Sequence, residues 1–394
     1  MGYPHKIASH IASIPYRLII ILILITQKTK RISSHMVKNI IYGLLLFVPI
    51  AVITELSHAD PLLIFLFSAL AIIPLAKFIG EATEELALYT GPKFGGLLNA
   101  TLGNAAELII TIFAIREGLL DLVRASIAGS ILGNLLLVLG LSLLVGGLKN
   151  GVQIFDRRTA SINATLVILA VVALVIPSLF DVAIQQDKAA ELGLSEAVAV
   201  VMIILYGLSV FYTFQQSKNS PHVPVTHEQE AEEEHHKPKW SVKFALGILA
   251  VATIGIVFMS EFLVGAVEHV TVELGLTEFF IGIIVIPMVG NVAEHLVAVQ
   301  VAYKNKMELS LAISLGSSLQ IALFVAPALV FISVLMGNPL LLVFNEFELI
   351  ALIGASIIAA FIAQDAESNW LEGAMLLGVF VMLGFAFYYL PAHL

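Results

Sequence analysis

Long apolar segments follow one another along most of the chain, separated by short polar stretches. Crossing ~30 Å of hydrocarbon takes about 20 apolar residues in a helix, so segments of this length predict transmembrane helices. Eleven are predicted, at residues 40–57, 61–80, 94–116, 122–147, 158–180, 195–214, 241–266, 277–302, 309–336, 347–363 and 370–390. The alternating ten-residue strands of a β-barrel are absent. The pattern therefore predicts an all-α polytopic membrane protein.

Residues 1–39 form an N-terminal extension before the first predicted span. Their apolar run from Leu18 to Ile25 has basic residues on both sides and is too short to cross a bilayer. It resembles the core of a signal peptide or an interfacial segment. Met36 is an alternative start of translation.

One long polar segment, residues 215–240, divides the chain into halves at 61–214 and 241–390. Its proline and charge content predict a largely disordered linker, with a short acidic helix around Glu228 to Glu234. A solvated tether explains it simply. An acidic, histidine-containing strip that senses cations is the alternative.

The two halves share a motif inside their most apolar stretches. Gly-Asn-x-x-Glu occurs at 103–107 and again at 290–294, an offset of 187 residues, and the same offset carries Ser130 onto Ser317. A constant offset indicates a duplicated unit. The first motif helix follows a predicted inner loop and the second an outer loop, so the units run in opposite directions. This is the inverted-repeat plan of secondary transporters, which bind substrate at the midplane.

The basic residues of the loops predict the orientation, because lysine and arginine concentrate on the cytoplasmic side. A cytoplasmic N-terminus places most of them inside, and eleven crossings then put the C-terminus outside. The inner residues are Lys93, Lys149, Arg157, Arg158, Lys218, Lys237, Lys239, Lys243, Lys304 and Lys306, against Arg116, Arg124 and Lys188 outside.

Composition supports a membrane protein, since 59% of residues are hydrophobic, 12% are charged and the mean hydropathy is +0.98. The chain has no cysteine, which excludes disulfides and thiolate metal sites. The net charge of −9 owes much to the linker and does not indicate a nucleic-acid partner.

Glu107 and Glu294 are the candidate site, because an ionised glutamate at membrane depth is costly without a partner. Two such carboxylates brought together repel unless a cation or protons neutralise them. Gly103 and Gly290 allow each helix to kink, and Pro287 removes a backbone donor, which frees carbonyls.

Freed carbonyls, the amide oxygens of Asn104 and Asn291 and the two carboxylates together predict an all-oxygen shell that suits Ca²⁺. One Ca²⁺ and two protons carry equal charge, so the site can exchange them.

Further polar residues follow each motif. Ser130 and Asn134 lie four positions apart, on one helix face, and can reach the same cavity. In the second half Ser317 corresponds to Ser130, but Asn134 corresponds to Ile321, and Gln320 supplies the nearest polar group. For the serines, close helix packing is an equally good explanation.

Five other acids are candidates for gating or cation access, with solvation at the membrane edge as the simple alternative: Glu81, Glu84, Glu85, Glu261 and Glu268. His295 directly follows Glu294 and is a candidate for proton coupling, beside a packing role.

An intramembrane metalloenzyme is a poor fit, because no second histidine or cysteine ligand is in register with His295. A Ca²⁺ channel shares the acidic chemistry, but the inverted duplication favours alternating access. The sequence thus predicts a transporter with no catalytic residues and no prosthetic group.

The motifs resemble those of the Ca²⁺/H⁺ exchanger (CAX) branch of the cation/Ca²⁺ exchanger superfamily. The similar stretches are G-N-A-A-E-L-I-I-T-I-F-A-I-R-E-G at 103–118, G-S-I-L-G-N-L-L-L-V-L-G at 129–140, I-P-M-V-G-N-V-A-E-H at 286–295 and G-S-S-L-Q-I-A-L-F-V-A-P at 316–327. The resemblance implies ten core helices and one extra N-terminal helix at 40–57. It also implies that Glu107 and Glu294 bind Ca²⁺ and protons while helices 61–80 and 241–266 slide.

The resulting expectation is an antiporter in the lipid bilayer that exports Ca²⁺ in exchange for H⁺. The short N-terminal extension and acidic loop favour a prokaryotic plasma membrane. Na⁺-coupled exchange and transport of another divalent ion such as Mn²⁺ stay open, and the sequence leaves room for a homo-oligomer.

Overall fold

The computed structural model describes residues 34–184, 186–219 and 238–390, which are mainly helical. The apolar run at residues 18–25 and the expected acidic helix at 228–234 lie outside the described residues. The helices are α1 Ser34–Leu44, α2 Phe47–Leu56, α3 Pro61–Leu102, α4 Ala105–Arg116, α5 Leu120–Asn150, α6 Arg157–Ile184, α7 Lys188–Asn219, α8 Val242–Leu274, α9 Glu278–Tyr303, α10 Met307–Met336, α11 Glu346–Asp365 and α12 Trp370–Tyr388.

The extra N-terminal helix is interrupted between α1 and α2. Pro49 has no N–H to donate to the carbonyl of Leu45 four residues earlier. Instead, the Val48 amide donates to the Leu45 carbonyl at 3.1 Å, three residues back, which closes a tighter turn. The segment from Asn39 to Leu56 is nevertheless apolar and long enough to cross a membrane.

Helix α3 departs from the prediction. The sequence predicts a loop between spans 61–80 and 94–116, but the backbone is helical from Pro61 to Leu102, 42 residues. The chain breaks at a turn formed by Gly103 and Asn104, and α4 begins immediately afterwards. The predicted span 94–116 is therefore divided between the end of α3 and the short helix α4.

Ten helices in the described part of the chain are long and apolar enough to cross a membrane. Eleven are predicted, and the difference is the divided span 94–116, since α4 has only 12 residues. The other ten predicted spans each overlap one of these helices. Helix α7 also extends to Asn219, five residues beyond the predicted end of that span at 214.

Three helices contain a π-helical turn, at Gly133–Val138 in α5, Ile281–Val285 in α9 and Ile321–Val325 in α10. A proline follows the last two turns, at Pro287 and Pro327. Since proline cannot donate to the carbonyl four residues before it, the widened turn accommodates the lost hydrogen bond. The turns in α5 and α10 occupy corresponding positions, because Ile321 lies 187 residues after Asn134.

The helices of the two halves pack against one another throughout. Helix α3 packs along α8, α6 along α11, and α5 against both α9 and α12. Two asparagines tie the halves together: Asn150 Nδ2 donates to the Ala302 carbonyl at 3.3 Å, and Asn338 Nδ2 donates to the Ile115 carbonyl at 2.9 Å. The two carbonyls lie 187 residues apart, so the same contact is made once by each half.

A short antiparallel strand pair joins the connections that precede α6 and α12. Strand β1, Gln153–Ile154, pairs with β2, Glu367–Ser368, and is the only β structure in the described residues. It does not change the fold class, which remains the predicted all-α bundle. Large apolar side chains such as Leu335 and Phe385 face outward from these helices, as a hydrocarbon surrounding requires.

Candidate cation site

Glu107 lies in the first turn of α4, directly after the break at Gly103 and Asn104. A helix begins there, and the unpaired amides of its first turn favour a negative charge. The side chain is only 3% exposed. Ser130 Oγ and Asn291 Nδ2 both donate to its Oε1 oxygen, the latter at 2.5 Å.

The second oxygen of Glu107, Oε2, is buried and accepts no hydrogen bond from the described residues. A buried carboxylate oxygen without a partner is costly. A cation or a proton at this oxygen would satisfy it.

Glu294 is the corresponding residue of the second half, on α9. Ser317 Oγ on α10 donates to its Oε2 at 2.8 Å. Each glutamate is thus bonded to a serine 23 residues further along the chain. The structure thus agrees with the predicted correspondence of Ser130 and Ser317, because each serine orients one of the two carboxylates.

The two asparagines of the motif make different contacts. Asn291 reaches across the halves to Glu107 and lies 3.4 Å from the Ser130 hydroxyl. Asn104 Nδ2 donates to Gln320 Oε1 at 2.8 Å. The position of the first half that corresponds to Gln320 is Gly133, which has no side chain, so Asn291 cannot form the matching amide pair.

Gly290 does not kink its helix as expected, since α9 remains helical through it. Gly290 instead leaves room for the side chain of Glu107, because a Cβ at this position would lie 2.8 Å from Cγ of Glu107. Gly103, by contrast, does lie at a helix break. Pro287 frees the carbonyl of Ile283, but this oxygen packs against Gly129 of α5, where even a methyl group would clash. The freed carbonyl of Ile283 therefore lies in the contact between α9 and α5.

A cavity of about 650 Å³ opens beside this site. Five of the predicted ion-binding residues line it: Gly103, Gly290, Glu294, Ser317 and Gln320. Glu107 is not in the lining, and Asn291 and Gly290 pack against it. The structure therefore presents one carboxylate to the cavity and encloses the other.

Ser130 and Asn134 are both buried but do not line the cavity, contrary to the expectation that they share it. Asn134 lies within the π-helical turn, which changes the register of the helix face. Its Nδ2 has no hydrogen-bond partner in the described part of the chain. His295 is half-buried outside the lining, and no described residue bonds its Nε2.

The five acids expected at the gates fall into different surroundings. Glu81 and Glu84 line the cavity. Glu85 accepts the amides of Lys239 and Trp240, at 2.7 and 3.1 Å, and so holds the start of α8 against α3. Glu261 pairs with Arg116 at 2.8 Å, while Glu268 is exposed on α8.

Lys77 lines the same cavity as Glu294 and is not among the residues predicted from the sequence. The sequence does indicate this residue, because Lys77 is the single lysine inside the apolar span 61–80. Ionisable residues within a span mark function by default. Hydropathy averaged over a whole span conceals such a residue.

Comparisons with known proteins agree on one family. A model described as sodium/calcium exchanger protein matches residues 61–215 and 244–389. A Ca²⁺/H⁺ antiporter of Aphanothece halophytica is 46% identical over 362 residues, which cover 90% of this chain and 97% of that protein. The Ca²⁺/H⁺ antiporter ChaA of Bacillus subtilis is 44% identical, over 87% of this chain and 97% of that protein.

Solved structures agree as well. The structure of native YfkE superposes with a TM-score of 0.77 at 40% identity and covers 89% of this chain and 100% of that one. A sodium–calcium exchanger structure, NCX_Mj, reaches a TM-score of 0.52 over 83% of this chain and 97% of that one, at 19% identity, which is a likeness of fold alone.

Proposed function

The chain belongs to the sodium/calcium exchanger protein family, and from that premise we propose that it exchanges Ca²⁺ for H⁺ across a membrane. Its relatives at 46% and 44% identity are named Ca²⁺/H⁺ antiporters. The observation that carries the proposal is the pair of serine-bonded glutamates, Glu107 and Glu294, one from each half. We assign no catalytic residue and no prosthetic group, and Ca²⁺ is the cargo.

The chemistry of the site suits this exchange. Its donors are carboxylate, hydroxyl and amide oxygens, which Ca²⁺ prefers. Two carboxylates carry two negative charges, which one Ca²⁺ or two protons cancel. The buried carboxylates are stable when one Ca²⁺ or two protons neutralise them, and unstable when both are ionised and the site is empty. Release of Ca²⁺ therefore requires protons to enter.

We assign this conformation to the state that faces the predicted cytoplasmic side. The cavity is lined by Tyr303, which directly precedes the inner residue Lys304, and by Gln300, one helical turn earlier. Ca²⁺ therefore reaches Glu294 from the cytoplasm in this state, while Glu107 stays closed. In the proposed cycle the inverted halves alternate: α3 and α8 move against the remaining helices and expose the site on the other side.

The proposed location is a prokaryotic plasma membrane, with the N-terminus inside and the C-terminus outside. The direction of transport that fits this placement is export of Ca²⁺. Entry of protons down their gradient drives it.

The test is Ca²⁺ flux in proteoliposomes with an imposed pH gradient and no Na⁺. We expect flux in the wild type and none in Glu107→Gln or Glu294→Gln, because glutamine imitates a permanently protonated carboxyl. Glu273→Gln is the matched control, since Glu273 is exposed on α8 away from the cavity and should exchange normally.

The same assay separates the alternatives. Flux that requires a Na⁺ gradient would indicate sodium coupling, flux without any gradient would indicate a channel, and a preference for Mn²⁺ would change the cargo. Normal exchange by the Glu107→Gln and Glu294→Gln variants would overturn the site.

A further inference from the structure

Glu348 is a buried carboxylate that the proposed exchange site does not use. It lies in the first turn of α11, at the predicted outer end of that helix, and is 2% exposed. Its Oε2 accepts the amide of Asn345 at 2.8 Å, while the Asn345 side chain accepts the amide of Glu348 at 2.9 Å, which closes a capping box. The other oxygen of Glu348, Oε1, is buried and accepts no hydrogen bond from the described residues.

The capping box does not account for a carboxylate at this position. Glutamine closes the same box, because only one side-chain oxygen is needed. The chain has a second capping box, formed by Asn369 and Glu372 at the start of α12, and there the glutamate is only partly buried. A buried carboxylate with an unpartnered oxygen is costly. Glu348 therefore carries a cost that the start of a helix does not require.

The charged residues around Glu348 lead from it to the surface. Arg124 and Asp121, on the adjacent helix α5, both act on Glu348 electrostatically and also pair with each other. The side chain of Asp121 is 75% exposed and that of Arg124 is 20% exposed, whereas Glu348 is enclosed. Asp121 also acts on Glu278, at the start of α9. Helix α6 packs on α11 as well, but no charged group in its described part acts on Glu348.

The ligand that suits this place is a proton. A metal ion does not fit, because no three acidic or histidine side chains of the described residues converge to hold one, and the Arg124 guanidinium repels cations. Burial favours the neutral carboxyl of Glu348, whereas Arg124 and the amides in the first turn of α11 favour the ionised form. Because these influences oppose each other, the carboxyl can adopt both forms, as a group that passes protons on requires.

Resting on the exchange function above, we propose that Glu348 is a proton-loading site at the outer face, which supplies protons that replace Ca²⁺. Its Oε1 takes a proton from water on the outer side and gives it to the water that enters when the exchange site opens outward. Glu107 and Glu294 accept protons from this water as Ca²⁺ leaves. Because free protons are scarce at neutral and alkaline pH, a carboxyl that is already loaded accelerates this step most under those conditions.

The experiment measures Ca²⁺ uptake into inside-out membrane vesicles, whose lumen corresponds to the outer side and can be loaded with buffers of different pH. Glu348→Gln keeps the capping box and removes the titratable group. The lumen pH at which uptake is half-maximal should move toward acid by roughly one unit, because a tenfold higher proton concentration then offsets the slower capture. The half-saturating Ca²⁺ concentration in the medium should not change, since Glu107 and Glu294 are intact.

Exchange of Ca²⁺ for labelled Ca²⁺, at equal pH on both sides, separates proton supply from structure. This reaction moves Ca²⁺ through the same site without protons, so Glu348→Gln should perform it at the wild-type rate. Glu372→Gln changes the equivalent position of the second capping box, at the predicted inner end of α12, and should leave both assays unchanged. Arg124→Gln removes the charge that favours ionised Glu348 and should move the half-maximal lumen pH the opposite way, toward alkaline values.

An unchanged dependence on lumen pH in Glu348→Gln would overturn the proposal. An equal loss of the exchange of Ca²⁺ for Ca²⁺ would also overturn it, because that loss indicates a structural role. Should Glu348→Gln fail to fold, an unchanged pH dependence in Arg124→Gln would decide against the proposal instead. An effect of the pH of the medium, rather than that of the lumen, would overturn the outer placement. Failure of the proposed function is distinct, because the wild type itself would then show no proton-driven uptake.

Discussion

Gly290 of the second motif lies directly against the side chain of Glu107 in the first, so close that a Cβ would stand 2.8 Å from Cγ of the glutamate. The two motifs are therefore interlocked: the glycine of one half makes room for the carboxylate of the other. Asn291, the next residue, donates to the same carboxylate. The site is thus assembled only when both halves are in place.

Gly290→Ala should displace the carboxylate of Glu107. A contact this short costs typically 1–3 kcal/mol to relieve, so we expect roughly a tenfold or larger rise in half-saturating Ca²⁺. Gly316→Ala is the matched control, since Gly316 lines the same cavity but a Cβ there meets nothing within 4 Å. Ca²⁺ flux into vesicles measures this concentration. If both substitutions raised it equally, the idea that Gly290 makes room for Glu107 would be wrong.

Ser130→Ala should weaken Ca²⁺ binding more strongly than Ser317→Ala. Ser130 donates to a carboxylate that is almost fully enclosed, whereas Glu294 faces the cavity and can exchange its lost donor for water. Loss of a hydrogen bond to a buried charged group costs about 1.5–3 kcal/mol, or roughly 10- to 100-fold in affinity.

The control for both serines is Ser314→Ala, because the Ser314 hydroxyl donates to the Ser310 carbonyl of its own helix at 3.1 Å. Isothermal titration with Ca²⁺ measures all three variants. A larger loss in Ser317→Ala would show that the conformation with Glu294 open is not the one that binds.

Cysteine labelling should report which residues the cavity reaches. The chain has no cysteine, so single-cysteine variants need no modified background. In inside-out vesicles, Gln320→Cys should react with a membrane-impermeant thiol reagent because Gln320 lines the cavity. Asn134→Cys should be protected, since Asn134 is 1% exposed and lies outside the lining. Equal labelling would contradict the closed state of the first half.

The ion pair between Arg116 and Glu261 connects the end of α4 with α8 on the predicted outer side. Both side chains are about half exposed, so Arg116→Glu should change the free energy of unfolding by no more than ~1 kcal/mol. If α8 moves relative to α4 during transport, the variant should alter the exchange rate. The exchanged pair Arg116→Glu with Glu261→Arg should restore it, and a melting curve provides the control for stability.

The sequence predicts the membrane helices well because their signal is local. Each apolar run must cross the same hydrocarbon thickness, and ten of the eleven predicted spans overlap a spanning helix. The prediction differs from the structure at residues 80–94. The sequence predicts a loop between spans 61–80 and 94–116, but the backbone stays helical there, and Glu85 and Tyr89 bond the residues that precede α8. Such contacts across 151 or more residues leave no trace in a local pattern.

The site is predicted in its residue types and only partly in its contacts. The duplicated motif indicates Glu107 and Glu294, because buried carboxylates are rare enough to be informative. Both motif asparagines bond across the halves, but Asn291 bonds the carboxylate of Glu107 and Asn104 bonds the amide of Gln320, whose counterpart Gly133 has no side chain. These contacts become visible only when the two copies of the motif are compared in the folded structure. Roles in ion binding for the residues of the candidate site, Glu107 and Glu294 included, stay predictions.

The difference between Gly133 and Gln320 has a kinetic consequence. A passive exchanger cannot alter the final equilibrium of its ions, whatever ligands it offers. However, an amide pair that exists beside one carboxylate and not the other makes the two membrane faces unequal in how fast they capture and discharge an ion. The forward and reverse maximal velocities can then differ, although the final equilibrium does not.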